Sequence, residues 1–472
     1  MSRSNLLTVL ILIGLAGGVI LGQWLHVTVG ADDPRALDWL RDAGDLILIR
    51  PLTLMIIPLV FASVVVGVTS LGDPSKLGRV GGATLIYYFS TMFVAAVLGA
   101  VLVTAVEPGV GLPADQVASL RADGERSLAE RSDLRTNVGA AETLGVSGAW
   151  MNIVRQMVPS NVFSEMTSNR PLGVIVAALL FGLALAATGQ RAKPAIDFFN
   201  AVFAALMTLV LWILWLTPIG VLLLVAWTVG TIGLSALVGP LSKYMLVVVV
   251  GLLIHGAVIL PLVLWFFGRT NPFRFMWQMR RALLTAFGTD SSSATLPVTI
   301  QTAETEGGCS KRSANFVLPL GATVNMDGTA LYEAVAVVFL FQLLGIELSS
   351  AELIIVVITA TLAAIGAAGI PSAGLVTMVI VITAVNRSLA GRGVEALPIA
   401  AIGILLGVDR ILDMCRTVVN VWGDAVGAKL ITRIAPDPPD GPAAIEPLEA
   451  LAAPDRATAS ISPVGPGRAT NG

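Results

Sequence analysis

GTDSSSATLP, residues 288–297, is too polar, and too interrupted by Pro297, for a helix that faces lipid. Basic clusters flank it: Arg269, Arg274, Arg280 and Arg281 before, Lys311 and Arg312 after. Basic residues mark the cytoplasmic ends of membrane segments, so residues 282–306 enter and leave on one side. A full span there breaks the parity of the chain, whereas a re-entrant hairpin keeps it. Irregular backbone at membrane depth persists only where protein or a water-filled cavity covers it. The stretch therefore predicts a polytopic membrane protein whose polar interior is enclosed by its own helices.

Composition agrees. The 472 residues are 55% hydrophobic and 13% charged, more apolar than a soluble chain of this length requires. A net charge of −2 offers no reason to expect nucleic acid as a partner. Two cysteines, Cys309 and Cys415, exclude a disulfide framework and a cysteine-based metal cluster. Two histidines, His26 and His255, leave little for zinc, and neither sits in an HExxH pattern. The apolar run 6–25 is longer than a signal-peptide core and lacks a small-residue cleavage site, so it reads as the first span.

Outward from the hairpin, the runs 46–71, 83–106, 172–187, 195–216 and 244–267 are further spans, with Pro218 an end or a kink. Lys76/Arg79, Arg191/Lys193 and Lys429/Arg433 mark more cytoplasmic ends, and the N-terminus is expected inside. Residues 107–147 read as the long aqueous loop, 150–158 as an amphipathic piece, and everything from 436 onward as a disordered tail. The apolar run 353–385 is interrupted by GAAGIPSAG, residues 366–374. Two interrupted segments, each followed by a charged helix, are the trace of an inverted-repeat secondary transporter, here with repeats 282–344 and 353–431.

The chemistry sits in the helices after the hairpins. LGATVNMDGTA, residues 320–330, sets Asn325, Met326, Asp327 and Gly328 in a long apolar run, where a carboxylate needs a cation or a basic partner. Na+ takes several oxygens, and Gly321 and Gly328 are expected to loosen the helix so that carbonyls turn inward. GVDRILDMCRTVVNVWGD, residues 407–424, carries Asp409, Asp413, Arg416, Thr417, Asn420 and Asp424 within an arc of roughly 100°. Arg416 offers a planar fork to a carboxylate, and Asp413 one turn earlier accepts an ammonium. Together they describe a receptor for aspartate or glutamate. Ser291, Ser292, Ser293 and the tip near Gly369 supply N–H groups to a second carboxylate. Plainer readings stand beside these: a structural Asp413–Arg416 pair, an interfacial Asp409–Arg410 pair, a protonated Asp327, a helix cap at the serines, and Glu333 at an aqueous gap.

SSSATLP (291–297), NMDGTALYEA (325–334), IGAAGIPSAGLVTMVIVITAV (365–385) and DMCRTVVNVWGDA (413–425) carry a family resemblance. Over residues 6–432 the sequence resembles the glutamate/aspartate (dicarboxylate/amino acid:cation) symporters, which include the excitatory amino acid transporters. The resemblance implies an all-α polytopic membrane protein with eight transmembrane helices plus two re-entrant helical hairpins, an inverted-repeat, elevator-type transporter. It implies scaffold helices in 1–82 and 148–235, a transport domain in 83–106 and 236–432, an extracellular polar loop in 107–147 and a cytoplasmic tail in 433–472. A homotrimer in the plasma (inner) membrane with both termini cytoplasmic follows, with no covalent cofactor and no enzymatic activity. The implied function is symport of acidic amino acids with Na+.

Residue by residue, the resemblance puts the substrate's backbone carboxylate at Ser291, Ser292 and Asn420, and its amino group at Asp413. Its side-chain carboxylate falls to Arg416 and Thr329, with Thr417, Gly369 and Ile370 closing over it. One sodium is implied between carbonyls of Gly321, Asn325 and Asn420 and the Asp424 carboxylate. A second lies by Thr323, Met326 and the carbonyls of Ala364, Ile365 and Ala367, and a third by Tyr88, Thr91, Asn325 and Asp327. Glu333 matches a position associated with proton coupling.

Some positions depart from the pattern. Asp290 stands where archaeal members carry an arginine, and Met414 where mammalian ones carry theirs. Arg410 is expected to pair with Asp290. Met92 replaces a hydroxyl of the third ion site, while Asp424 is the sodium-type residue. The alternatives are a proton-coupled glutamate or C4-dicarboxylate symporter, a channel lined by the charged stripe, and an intramembrane protease built on GVSG (145–148) with His255. Two hairpins around one site argue for occlusion over an open pore.

Overall fold

The computed structural model describes residues 3–30, 33–71, 74–131, 134–139, 151, 155, 158–168, 170–233, 241–365, 367, 369 and 371–437. Ile370, the GVSG stretch, most of 150–158 and the tail after 437 lie outside the described residues. All regular structure among the described residues is helical, as an apolar chain in lipid requires of its backbone.

The outer helices are apolar all round. Arg3–Leu25, Arg50–Leu71 and Lys193–Leu214 leave Ile13, Ile20, Leu54 and Trp212 exposed, the surface that lipid covers. Lys193–Leu214 and Thr217–Ile232 follow one another almost without a break, and Pro218 sits at the joint. Pro218 therefore opens the second of two helices rather than bending one: a proline is tolerated in the first turn of a helix, where its missing N–H would go unpaired anyway. Arg3–Leu25 packs along Thr217–Ile232 through small residues. At Gly22 an added Cβ would stand 2.7 Å from the Ala226 carbonyl oxygen, so only glycine lets the two backbones approach.

The inner elements invert this pattern. The first hairpin has arms Arg280–Thr289 and Ser292–Thr305 and turns at Asp290, whose φ is +54°. Arg281 and Glu306 pair across its base. The second hairpin, Ser350–Ile365 and Ala373–Gly391, re-enters its helix at Ser372 with φ +58°, and Arg392 closes its base on Glu352 at 2.8 Å. Between the hairpins runs a broken helix, Lys311–Val324 and Asp327–Leu343, whose break falls on Asn325 and Met326. The final helix is Leu406–Thr432, packed against both halves of the broken helix and against the first hairpin. Arg50–Leu71 joins the two sets, with Pro171–Thr188 and Lys193–Leu214 on one side and the first hairpin and Lys311–Val324 on the other.

Two expectations need correction. The glycines do not loosen the broken helix: Gly321 and Gly328 are helical, and the chain unwinds at Asn325 and Met326. Their role is contact, since a Cβ at Gly321 would stand 2.7 Å from the Tyr88 hydroxyl. Residues 107–147 are not all aqueous, because the helix Ala114–Glu130 lies against Ile399–Leu405, a tight 3-10 segment before the final helix, and buries Leu128. Its charged face hides a short apolar one.

Among the described residues, seven stretches are long and apolar enough to cross a membrane. That set differs from the eight expected spans because it joins 172–214 into one and admits the hairpin arm Ala373–Gly391. It also passes over the charged final helix. Gly22→Val should lower stability by about 1–3 kcal/mol through overpacking, seen as an earlier melting midpoint in detergent. Gly17→Ala on the same helix, where the Cβ would meet only Leu222 Cδ1 at 3.5 Å, should leave the midpoint unchanged.

Candidate functional site

The two hairpin tips touch. Ser291 donates its hydroxyl to the Gly369 carbonyl at 2.6 Å, and the Ser293 N–H donates to the same oxygen at 3.1 Å. Gly369 sits so close to the Ala322 carbonyl that a Cβ would stand 2.6 Å from that oxygen. The second tip is thereby seated on the end of Lys311–Val324, one residue before Thr323.

Below the tips lies the charged face of Leu406–Thr432. Arg416 donates from Nε and Nη2 to Asp413 Oδ1, at 2.7 and 2.6 Å. The other oxygen of Asp413 accepts the Ser372 N–H at 2.6 Å. The Arg416 guanidinium lies 4.6 Å from the ring centre of Tyr332, and its Nη1 finds no acceptor among the described residues. Tyr332 donates to Asp409 at 2.8 Å, and the Ser372 hydroxyl donates to the second Asp409 oxygen at 2.9 Å. Thr417 reaches both Asp290 and Asp413 at 3.5 Å.

Deeper along the same face, Asn420 accepts the Gly328 N–H at 2.7 Å and donates to Thr329 at 3.3 Å. Asp424 accepts from Asn325 Nδ2 at 3.0 Å, and Thr91 approaches Asn325 Oδ1 at 3.5 Å. Asp327 meets His255 at 3.2 Å through one oxygen, while its Oδ1 has no partner among the described residues. Glu333 accepts from Thr377 of the second hairpin and keeps one oxygen unpaired among them. These side chains are buried, in a region where hydrocarbon would otherwise surround them.

Residues 7–434 match the sodium:dicarboxylate symporter family. The chain belongs to this family. It is 37% identical over 462 residues to "Neutral amino acid transporter B(0)" of Bos taurus, covering 91% of this chain and 80% of that protein. It is 39% identical over 420 residues to "Excitatory amino acid transporter 3" of Oryctolagus cuniculus, covering 82% and 78%. To "Excitatory amino acid transporter 2" of Homo sapiens it is 36% identical over 467 residues, covering 91% and 79%. A polytopic membrane transporter of this family, for which Na+ is the coupling ion, is therefore the coarse function, and enzymatic readings fall away.

In this symporter the expected substrate residues converge only partly through bonds. Ser291 joins Gly369, Thr417 joins Asp413, which holds Arg416, and Asn420 joins Thr329. Ser292 is buried in the first turn after the tip, and Ile370 lies outside the described residues. Of the ion residues, Asn325 and Asp424 are bonded, with Gly321 packed against Asp424 and Met326 beside Asn420 at 3.3 Å. Ala364, Ile365 and Ala367 lie at the end of the second hairpin's first arm, which touches Lys311–Val324, the helix of Thr323, with Gly369 also on Ala322. The third set is less direct. Tyr88 gives its hydroxyl to the Val317 carbonyl at 2.7 Å, and Asp327 turns one oxygen to His255. Met92, which stands in place of a hydroxyl, takes the Met326 N–H on its Sδ at 3.4 Å.

Sequence reasoning overlooked Ser372, Tyr332 and Thr377, and weighed His255 only as a protease residue. Ser372 follows Pro371 in the interruption and His255 is an imidazole inside a span, and these were their only signals. Glu333 does not face an aqueous gap, because the second hairpin covers it. The Arg410–Asp290 pair is present at 2.9 Å, with the Asp290 side chain 0% and the Arg410 side chain 20% exposed. Breaking a buried pair costs about 3–5 kcal/mol. Asp290→Arg and Arg410→Asp should each abolish uptake into proteoliposomes, and the double reversal should restore it. Additive losses in the double variant would show that the two do not act together.

Proposed function

We propose that this chain couples a Na+ gradient to the uptake of aspartate or glutamate by moving its site across the bilayer. The observation that carries the reading is Arg416, buried with one edge of its fork on Asp413 and Nη1 left without an acceptor among the described residues. An acidic amino acid supplies what Arg416 lacks: its side-chain carboxylate takes the free edge of Arg416 beside Thr329, and its ammonium takes Asp413. Its backbone carboxylate lies at Ser291, Ser292 and Asn420, with Thr417, Gly369 and Ile370 closing over it. Arg416 and Asp413 hold each other as an internal pair, so binding exchanges one pair for two.

Asp413 also holds Ser372 of the second hairpin, so an ammonium arriving at Asp413 competes at the hairpin's own anchor. Occupancy and closure of that hairpin are thereby linked. Na+ enters at Gly321, Asn325, Asn420 and Asp424, at Thr323, Met326, Ala364, Ile365 and Ala367, and at Tyr88, Thr91, Asn325 and Asp327. Buried carboxylates at Asp424 and Asp327 are costly to carry without a cation, which ties movement to ion binding. Glu333, covered by Thr377, is the proposed proton carrier where H+ accompanies Na+.

The moving unit comprises residues 83–106 and 236–432, and the static unit residues 1–82 and 148–235, assembled as a homotrimer in the plasma (inner) membrane with both termini cytoplasmic. The hairpins, the broken helix and the final helix are largely buried and packed on one another, which supports grouping them in one unit. A second reading has a specific support: relatives named neutral amino acid transporters match this chain as well as the excitatory ones do. Arg416 weighs against it, because a neutral side chain leaves a buried guanidinium edge unpaired.

Arg416→Cys should abolish aspartate uptake in proteoliposomes while the protein elutes as wild type on size exclusion. Aspartate transport retained in that variant overturns the assignment, and competition by alanine or glutamine at equal potency favours the neutral reading. Asp424→Asn should shift the Na+ dependence of uptake to higher concentrations, with the aspartate requirement kept. Separate Na+, H+ and K+ gradients applied to wild type identify the coupling ion.

A further inference from the structure

Arg410 is engaged on two sides. One edge of its guanidinium pairs with Asp290, the left-handed residue at the tip of the first hairpin, at 2.9 Å. Its Cζ also lies 5.5 Å from the ring centre of Trp227, on the helix Thr217–Ile232. Trp227 is itself held in place: its indole N–H donates to Asp38 at 3.3 Å, and Arg41 stands 5.5 Å from the same ring. Arg410, Trp227, Arg41, Thr289 and Ser291 all line one cavity of about 500 Å³, open at both hairpin tips. Around this cavity the two sets of helices are separated, and Arg410 on Trp227 closes one stretch of its wall.

We propose that Arg410 is a positioning residue for the substrate cradle, docking the tip of the first hairpin onto the outer helices through Trp227. Asp290 immediately precedes Ser291, so the ion pair fixes the turn that aims the serine cradle. The indole contact ties that turn to Thr217–Ile232. Asp290 and Arg410 belong to one unit and travel together, whereas Trp227 belongs to the other. The Arg410–Trp227 contact therefore exists only in the docked arrangement and stabilises it. The inference rests on the moving-unit reading above for its consequence in transport, while the contact stands on geometry alone.

Docking has a local reporter. An added Cβ at Gly288, in the hairpin's first arm, would stand 3.1 Å from Val221 Cβ on the outer helix, a few tenths of an ångström inside the spacing of disulfide-bonded cysteines, so a bridge forms once the two helices part slightly. In a background with Cys309→Ala and Cys415→Ala, the pair Val221→Cys and Gly288→Cys should cross-link under copper-phenanthroline in membranes. Trp227→Leu should lower the cross-linking rate about two- to thirty-fold, the range spanned by exposed and desolvated cation–π contacts. Trp227→Phe should restore much of it. Arg410→Gln should lower it at least as far, and adding Trp227→Leu to that variant should lower it no further. Trp227→Leu at the wild-type rate, or two independent multiplicative losses, overturns the proposal. A misfolded variant is distinguished by the phenylalanine rescue and by its size-exclusion profile. Wild-type cross-linking that ignores Na+ and aspartate counts against the moving-unit reading itself; a responsive wild type with unresponsive variants counts against Arg410 and Trp227 alone.

Discussion

A carboxylate removed from water must find a partner, and this chain removes Asp290, Asp327, Glu333, Asp409, Asp413 and Asp424 together. The partners come mostly from other elements. Asp424 takes Asn325, Asp327 takes His255, Glu333 takes Thr377, Asp409 takes Tyr332 and Ser372, and Asp290 takes Arg410. Lipid offers helices no hydrophobic reason to associate, so these polar ties and close glycine contacts bear much of the burden of holding the inner elements in register. Every tie joins a hairpin, the broken helix, the sixth span or the final helix to one of the others.

The same arrangement leaves some capacity unused. Arg416 Nη1, Asp327 Oδ1 and one Glu333 oxygen lack protein partners among the described residues. A solute and cations that complete these groups lower the free energy of the whole polar core at once, because the core shares its members. Ser372 illustrates the sharing, bonded through its N–H to Asp413 and through its hydroxyl to Asp409. Under the proposed function, Asp413 and Arg416 are a structural pair while the site is empty and substrate contacts once it is filled.

The outer helices obey a different rule. Their faces are apolar and their mutual contacts rest on small residues such as Gly22, so their packing makes few polar demands. Arg410 on Trp227, beside the cavity, is a polar contact between these helices and the inner elements.

Much of this was legible in the linear order of residues. Hydropathy, the basic flanks and the interruptions at 288–297 and 366–374 determined the membrane class, the two hairpins and the charged final helix. Each rests on composition over a window, and lipid imposes it locally. The stripe from Asp409 to Asp424 was likewise readable, since helical periodicity alone puts those side chains on one face. Pairing was decided by the tertiary structure. Asp409 looked like an interfacial charge until Tyr332 and Ser372, 77 and 37 residues away, closed on it. His255 meets Asp327 across 72 residues, and Trp227 had no signal as a partner of Arg410. The break in the helix at Asn325 and Met326, with Gly321 and Gly328 serving contact instead, also needed the neighbours in place. Local periodicity states which face a residue occupies, and only the packed chain states what faces it.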